Sequence, residues 1–297
     1  MITTIWRQLK VWRRFHIGPV TMLFGFRRRT SVTPGTWKLS RQRELSETRA
    51  TRPHCEKTPP QDERGTAVIV GVGTGFGYSL ARKLASDGFD IALLSRNADR
   101  LSLLCEELRQ QGVEAHSYGL DATHETDVKE IFKKVVERHG TPSMVVYSLQ
   151  EFTPGDVLDI SAPAFESSWR HNCLGAFLVS QEAARAMAPC GRGSIFLIGS
   201  TSSIIGRAGH LNLAVGKFGQ RALAQVFCRE LWPIGLHVAH VLIDADIRRP
   251  DIMSTEAVQS DPDDIAVSIL ALHNQPRSAW SSEIDLRPSN EKFWEHC

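Results

Sequence analysis

The sequence predicts an α/β fold built on a doubly wound parallel sheet of about seven strands. Three observations carry this. From Thr66 onward, short β-branched runs alternate with stretches of helical periodicity. Seven such runs are separated mostly by helices, which argues for a parallel sheet covered on both faces. At 297 residues and 42% apolar, the chain can bury one sizeable core, so one main domain, residues 65–297, is the economical reading.

Taken in order, Ala67–Val70 reads as the first strand, and helical periodicity follows from Tyr78 to Ser86. Ile91–Leu94 is the second strand. A helix over Asp99–Gln110 places Leu101, Leu104 and Leu108 on one side. A third strand ends near Leu120, a helix covers Asp127–Arg138, and Met144–Tyr147 is the fourth strand. A long helix around Trp169–Met187, a strand at Ser194–Ile198, a helix around Leu213–Leu231 and a strand at Val238–Ile243 come next. A helix near Asp263–Leu272 and a strand near Glu283–Leu286 close the pattern. Right-handed crossovers make this sheet Rossmann-like, with ligands expected at the carboxyl ends of the strands.

The formal net charge of +2 conceals an asymmetry. Residues 1–64 carry fourteen Lys/Arg against five Asp/Glu, whereas the remainder carries twenty-one against twenty-eight. From Met1 to Arg43 there are ten basic residues and no acidic one, with Trp6, Leu9, Trp12 and Phe15 spaced three apart as on one face of a basic amphipathic helix. That composition fits a mitochondrial or other organellar transit peptide; without import, a cytoplasmic location is expected. A featureless extension is the plain alternative. A basic tail is weak evidence for nucleic-acid binding through phosphate neutralisation. The apolar run Ile17–Phe26 leads into Arg27-Arg28-Arg29 where a secretory cleavage site would need small residues. That run is ten residues long and contains Gly18 and Pro19, so no membrane span is expected. Residues 44–64, with Pro53, Pro59 and Pro60, read as a linker.

Six cysteines, at 55, 105, 173, 190, 228 and 297, show no C-x-x-C spacing. Reduced thiols are the simplest reading, and no metal site is expected.

The chemistry concentrates in two places. Gly71-Val72-Gly73-Thr74-Gly75-Phe76-Gly77 directly follows the first strand and opens a helix, which lets a backbone turn approach a pyrophosphate and aims helix N–H groups at it. Far downstream, Ser200 precedes Leu213-Ala214-Val215-Gly216-Lys217 by thirteen residues. Together these segments resemble the short-chain dehydrogenase/reductase family over about residues 64–288. The resemblance implies an oxidoreductase with a nicotinamide cofactor and a small carbonyl or alcohol substrate. By that resemblance Gly71, Thr74, Gly75, Phe76 and Gly77 hold the cofactor, and Ser95-Arg96-Asn97 follow the second strand where an NAD-preferring member would place an acid. An Arg there pairs with a 2′-phosphate, so NADP is favoured over NAD. Asp121-Ala122 resemble the pair that holds the adenine edge. Ser148-Leu149-Gln150 stand where the family has Asn-Ala-Gly, and Ile243-Asp244 where it has Pro-Gly.

For catalysis, the resemblance gives Ser200 the substrate oxygen, Asn172 a water relay, and Lys217 the nicotinamide ribose. The expected tyrosine acid is absent: Leu213 stands at its position, one helical turn before Lys217. His210, three residues earlier, could share that face on a continuous helix, or be a loop histidine. A water held by Ser200 and Lys217 is a further option. A non-catalytic NADP-binding sensor or scaffold is the alternative to an enzyme. Pairing of the two long helices across a two-fold, as in the family, implies a homo-oligomer. The loop after Ile247, with Arg248, Arg249 and Asp251, is where such proteins vary in substrate.

Overall fold

The computed structural model describes residues 65–248 and 259–291. The basic extension, and Arg249 and Asp251 of the variable loop, lie outside the described residues.

Strands β1 (Thr66–Val70), β2 (Asp90–Ser95), β3 (Ala115–Gly119), β4 (Pro142–Tyr147), β5 (Ser194–Ser200) and β6 (His237–Ile243) form the main sheet with β9 (Glu283–Leu286). Their order is β3-β2-β1-β4-β5-β6-β9, with every pairing parallel. The seven expected strands are all present. A short parallel pair, β7 (Asp246–Ile247) with β8 (Gln259–Ser260), was not anticipated, because two-residue strands carry no periodicity.

Within β1, Ala67 and Ile69 face one core while Val68 and Val70 face the other. The first core packs against α1 (Phe76–Ser86), α2 (Ser102–Arg109) and α7 (Pro262–His273), through Leu80, Leu84, Leu104, Leu108, Ile265 and Ile269. The second packs against α3 (Glu125–His139), α5 (Gly175–Met187) and α6 (Leu211–Leu231), through Val128, Phe132, Val179, Ala183 and Ala224. The chain turns back between β1 and β4, which opens a crevice at the carboxyl ends of the central strands.

Local sequence explains several helix ends. Ser161 caps α4 (Ala162–Trp169) by accepting from Ala164 N–H at 3.3 Å, with Pro163 in the first turn. Asp261 caps α7 by accepting from Asp263 N–H at 3.0 Å. α3 starts with Glu125 and Asp127 against its dipole and stops at Gly140, whose φ is +76°.

The helix expected around Trp169–Met187 is not continuous. A π-turn at Arg170–Leu174 separates α4 from α5. Periodicity alone cannot show one inserted residue when both sides are apolar.

Candidate active site

A cleft of about 1060 Å³ runs across the crevice, from Arg96 and Arg100 past the glycine turn to Ser200, Arg207 and His210. It gathers Gly71, Thr74, Gly75, Phe76, Gly77, Ser95, Arg96, Asn97, Asp121, Ala122, Ser148, Ser200 and Lys217 onto one wall system. Asn172 and Leu213 are not among the described residues that line it.

The glycine turn is shaped for close backbone approach. Gly71 sits at φ +94°, and a Cβ there would lie 2.8 Å from Leu149 N. A Cβ on Gly77 would meet Val72 Cα at 2.9 Å, so β1 and α1 can join this tightly only through glycine. A Cβ on Gly73 would meet nothing within 4 Å. No side chain caps α1 and no acid occupies its first turn, so its N–H groups and positive dipole end meet the cleft uncompensated. Ser148 Oγ pins the turn, sharing its proton between Val70 O at 3.0 Å and Gly71 O at 3.2 Å. This cradle fits a pyrophosphate.

At one end, Ser95 Oγ accepts from Asn97 N–H at 3.2 Å and fixes the turn that carries Arg96. Arg96 is exposed and makes no ion pair among the described residues. Burial opposes ionisation of Asp121. The Thr123 amide at 2.9 Å and hydroxyl at 2.7 Å nonetheless hold its carboxyl below the ordinary value.

At the other end, Ser203 Oγ accepts from Ser200 N–H at 3.1 Å. Ser200 Oγ itself is buried with no partner of good geometry among the described residues. Lys217 is 1% exposed, and its Nζ donates to Ile198 O at 2.8 Å, Gln220 Oε1 at 3.3 Å and Leu149 O at 3.4 Å. Burial pushes its pKa down to about 7. Its donors therefore already have protein acceptors, an arrangement the spacing could not show. Asp244 takes a hydrogen bond from Thr201 and an ion pair from Arg287, and burial raises its pKa despite that cation. Arg287 comes from beyond β9, so this contact was invisible in sequence.

Leu213 is 4% exposed and packed inside, one turn before Lys217 in α6. His210 is not on a continuous helix with it. It precedes α6 at φ −118°, ψ 20°, and its ring stacks on Phe152 with centroids 4.8 Å apart, so it is the loop histidine of the two options. It does line the cleft.

Asn172 sits in the π-turn, fully buried. Its Nδ2 donates to Glu151 O at 2.7 Å and Ser168 O at 2.9 Å, and its Oδ1 accepts from Glu151 N–H at 3.4 Å. A Cβ on Gly216 would meet Asn172 Cβ at 2.6 Å, so the π-turn is pressed against α6 beside Lys217. The side chain thus braces the segment after β4. Sequence reasoning missed His171, Glu151, Phe152 and Arg207, which carry no local spacing signal.

A family model described as short chain dehydrogenase matches residues 65–261. Sorbitol-6-phosphate 2-dehydrogenase of Escherichia coli is 28% identical over 191 residues, covering 63% of this chain and 74% of the relative. Among solved structures, a short-chain dehydrogenase from Rhodopseudomonas palustris aligns at 30% identity with a TM-score of 0.68, over 77% of this chain and 100% of that one. An alcohol dehydrogenase from Thermococcus sibiricus complexed with 5-hydroxy-NADP aligns at 27% identity and TM-score 0.71, over 77% and 98%. With its strand order, its glycine cradle and this match over residues 65–261, the chain belongs to the short chain dehydrogenase family.

Proposed function

We propose that the protein is an NADP-dependent oxidoreductase that interconverts a small carbonyl compound and its alcohol. The observation that carries this reading is the single cleft that joins the arginine-bearing turn after β2 to the glycine cradle and to Ser200. When bound, the nicotinamide supplies or receives a hydride at C4. The chain's own residues do the rest. Arg96, backed by Arg100, pairs with a 2′-phosphate, and the α1 N-terminus and glycine turn hold the pyrophosphate. Asp121 and Ala122 take the adenine edge. Ser200 Oγ, orphaned as it stands, orients the substrate oxygen. Lys217 supplies positive potential behind that site, and Asn172 holds the wall in place. His210 or a water near Ser200 and Lys217 passes the proton.

Calorimetric titration tests the cofactor assignment. NADPH is expected to bind at least tenfold more tightly than NADH, since a charge-assisted bond contributes about 1.5–3 kcal/mol. Arg96→Asp is expected to abolish or invert that preference, and an unchanged preference would overturn it.

A second reading, a non-catalytic NADP-binding sensor or scaffold, is favoured by one observation: a hydrocarbon, Leu213, is buried at the position where the resemblance implies an acid. Tight NADPH binding without turnover across a broad carbonyl panel selects it.

We also infer a homo-oligomer. Val215, Phe218 and Val226 expose one apolar face of α6, and Trp169 exposes another patch at the end of α4. Sedimentation is expected to give at least a dimer. For residues 1–64 we infer organellar import, expected as mitochondrial targeting of a fused fluorescent protein and lost when residues 1–43 are removed.

A further inference from the structure

Of the buried side-chain polar atoms without a hydrogen-bond partner among the described residues, two belong to residues of the cleft wall: Ser200 Oγ and His171 Nε2. A buried orphan is costly, and in a native fold it calls for an explanation such as a ligand that supplies the partner. Ser200 has one in the substrate oxygen. His171 has none in the reaction as drawn above.

The ring is held from one side. His171 Nδ1 lies 2.8 Å from Glu151 Oε2 and 2.9 Å from Ser167 O. Both neighbours only accept, so Nδ1 carries the proton and, in the neutral ring, Nε2 presents a lone pair. Glu151 is itself fixed, since its Oε1 accepts from Ser167 Oγ at 2.5 Å and its backbone is gripped by Asn172. The π-turn sets the place. The Tyr147 hydroxyl donates to His171 O, and a Cβ on Gly175 would run into that hydroxyl and approach Ala122 O at 3.1 Å. The turn therefore packs against the end of β3, where Asp121 and Ala122 form the adenosine side of the cleft. A lone pair there suits a ligand hydroxyl.

We propose that His171 is a cofactor-binding residue whose Nε2 accepts a hydrogen bond from the ribose hydroxyl on the adenosine side, with Glu151 as its positioning residue. This rests on the dinucleotide reading above.

Calorimetry with NADPH and with 2′,5′-ADP, which carries only the adenosine side, tests it on the full chain. His171→Phe is expected to weaken both ligands about tenfold. His171→Gln, whose amide reaches the region of Nε2, is expected to retain most of the affinity, and Glu151→Gln to lose a smaller factor for both. Wild-type affinity for both ligands in a His171→Phe protein that melts normally overturns the proposal. So does a loss confined to NADPH, because it moves the contact off the adenosine side. Should His171→Phe fail to fold, the Gln and Glu151 variants decide it: equal losses in both, without rescue by Gln, mark a merely structural ring. A wild-type protein that binds neither ligand refutes the dinucleotide reading itself, a result distinct from any of these.

Discussion

Leu213 and Lys217 share one face of α6, yet only Lys217 reaches the cleft wall. Replacing Leu213 by Tyr puts a phenol into a site that is 4% exposed, at an overpacking cost of about 1–3 kcal/mol. The overpacking cost falls on stability, whereas in an assembled site a positioned acid contributes about 10²–10⁴-fold to the rate. Leu213→Tyr is therefore expected to raise NADPH-linked carbonyl reduction by at least about tenfold over the wild type, read as the rate of NADPH oxidation. No gain in a folded variant that still binds NADPH would count against catalysis here. That Leu213 stands where the family resemblance implies a tyrosine was legible in the sequence. The saturation of Lys217 by Ile198 O, Gln220 and Leu149 O was not, because two of those partners are carbonyls of distant strand ends.

Among elements, the π-turn between α4 and α5 does the most positioning. One inserted residue turns Asn172 inward to hold the backbone of Glu151 and lays His171 along the cleft. Asn172→Ala removes the partner of the Glu151 amide and leaves the Glu151 carbonyl to Ser168 Oγ alone, in a buried setting, an expected loss of about 2 kcal/mol. In a domain of this size that lowers Tm by roughly 4–8 °C. Weaker cofactor binding should accompany it, since the braced segment forms the wall beside Leu149. An unchanged Tm would mean the brace is redundant. The register with Ser200 pointed to Asn172. What it could not show is that its side chain braces the wall from outside the cleft.

At the scale of the whole molecule, the segment that follows α7 returns to the site. Beyond α7, Trp280 stacks on His237 at 4.8 Å, and Arg277 donates to Gly191 O at 2.6 Å. Arg287 then meets Asp244, Asp285 and Glu291, tying this segment to the cleft floor. Burial raises the Asp244 pKa, so the folded state holds its proton to a higher pH than the unfolded chain does. Stability attributable to that group is therefore fully present at low pH and falls as pH rises through the folded value. Arg287→Met removes the cation that limits this loss. Its Tm deficit against the wild type is expected to be largest near about pH 7, where Asp244 is ionised, and to shrink as pH falls and Asp244 takes up its proton. A deficit independent of pH would assign Arg287 a packing role alone.

The sequence by itself determined the sheet, the glycine cradle, Arg96 after β2, and the Ser200, Leu213 and Lys217 spacing. Each of these depends on neighbours in the chain or on a fixed count along one element. Only the tertiary structure decided how Lys217 is satisfied, that Asn172 stands behind the wall, that His171 lies on it, and that Arg287 reaches Asp244. Those contacts join residues tens of positions apart, and no local periodicity encodes which buried polar atom finds a partner and which is left for a ligand.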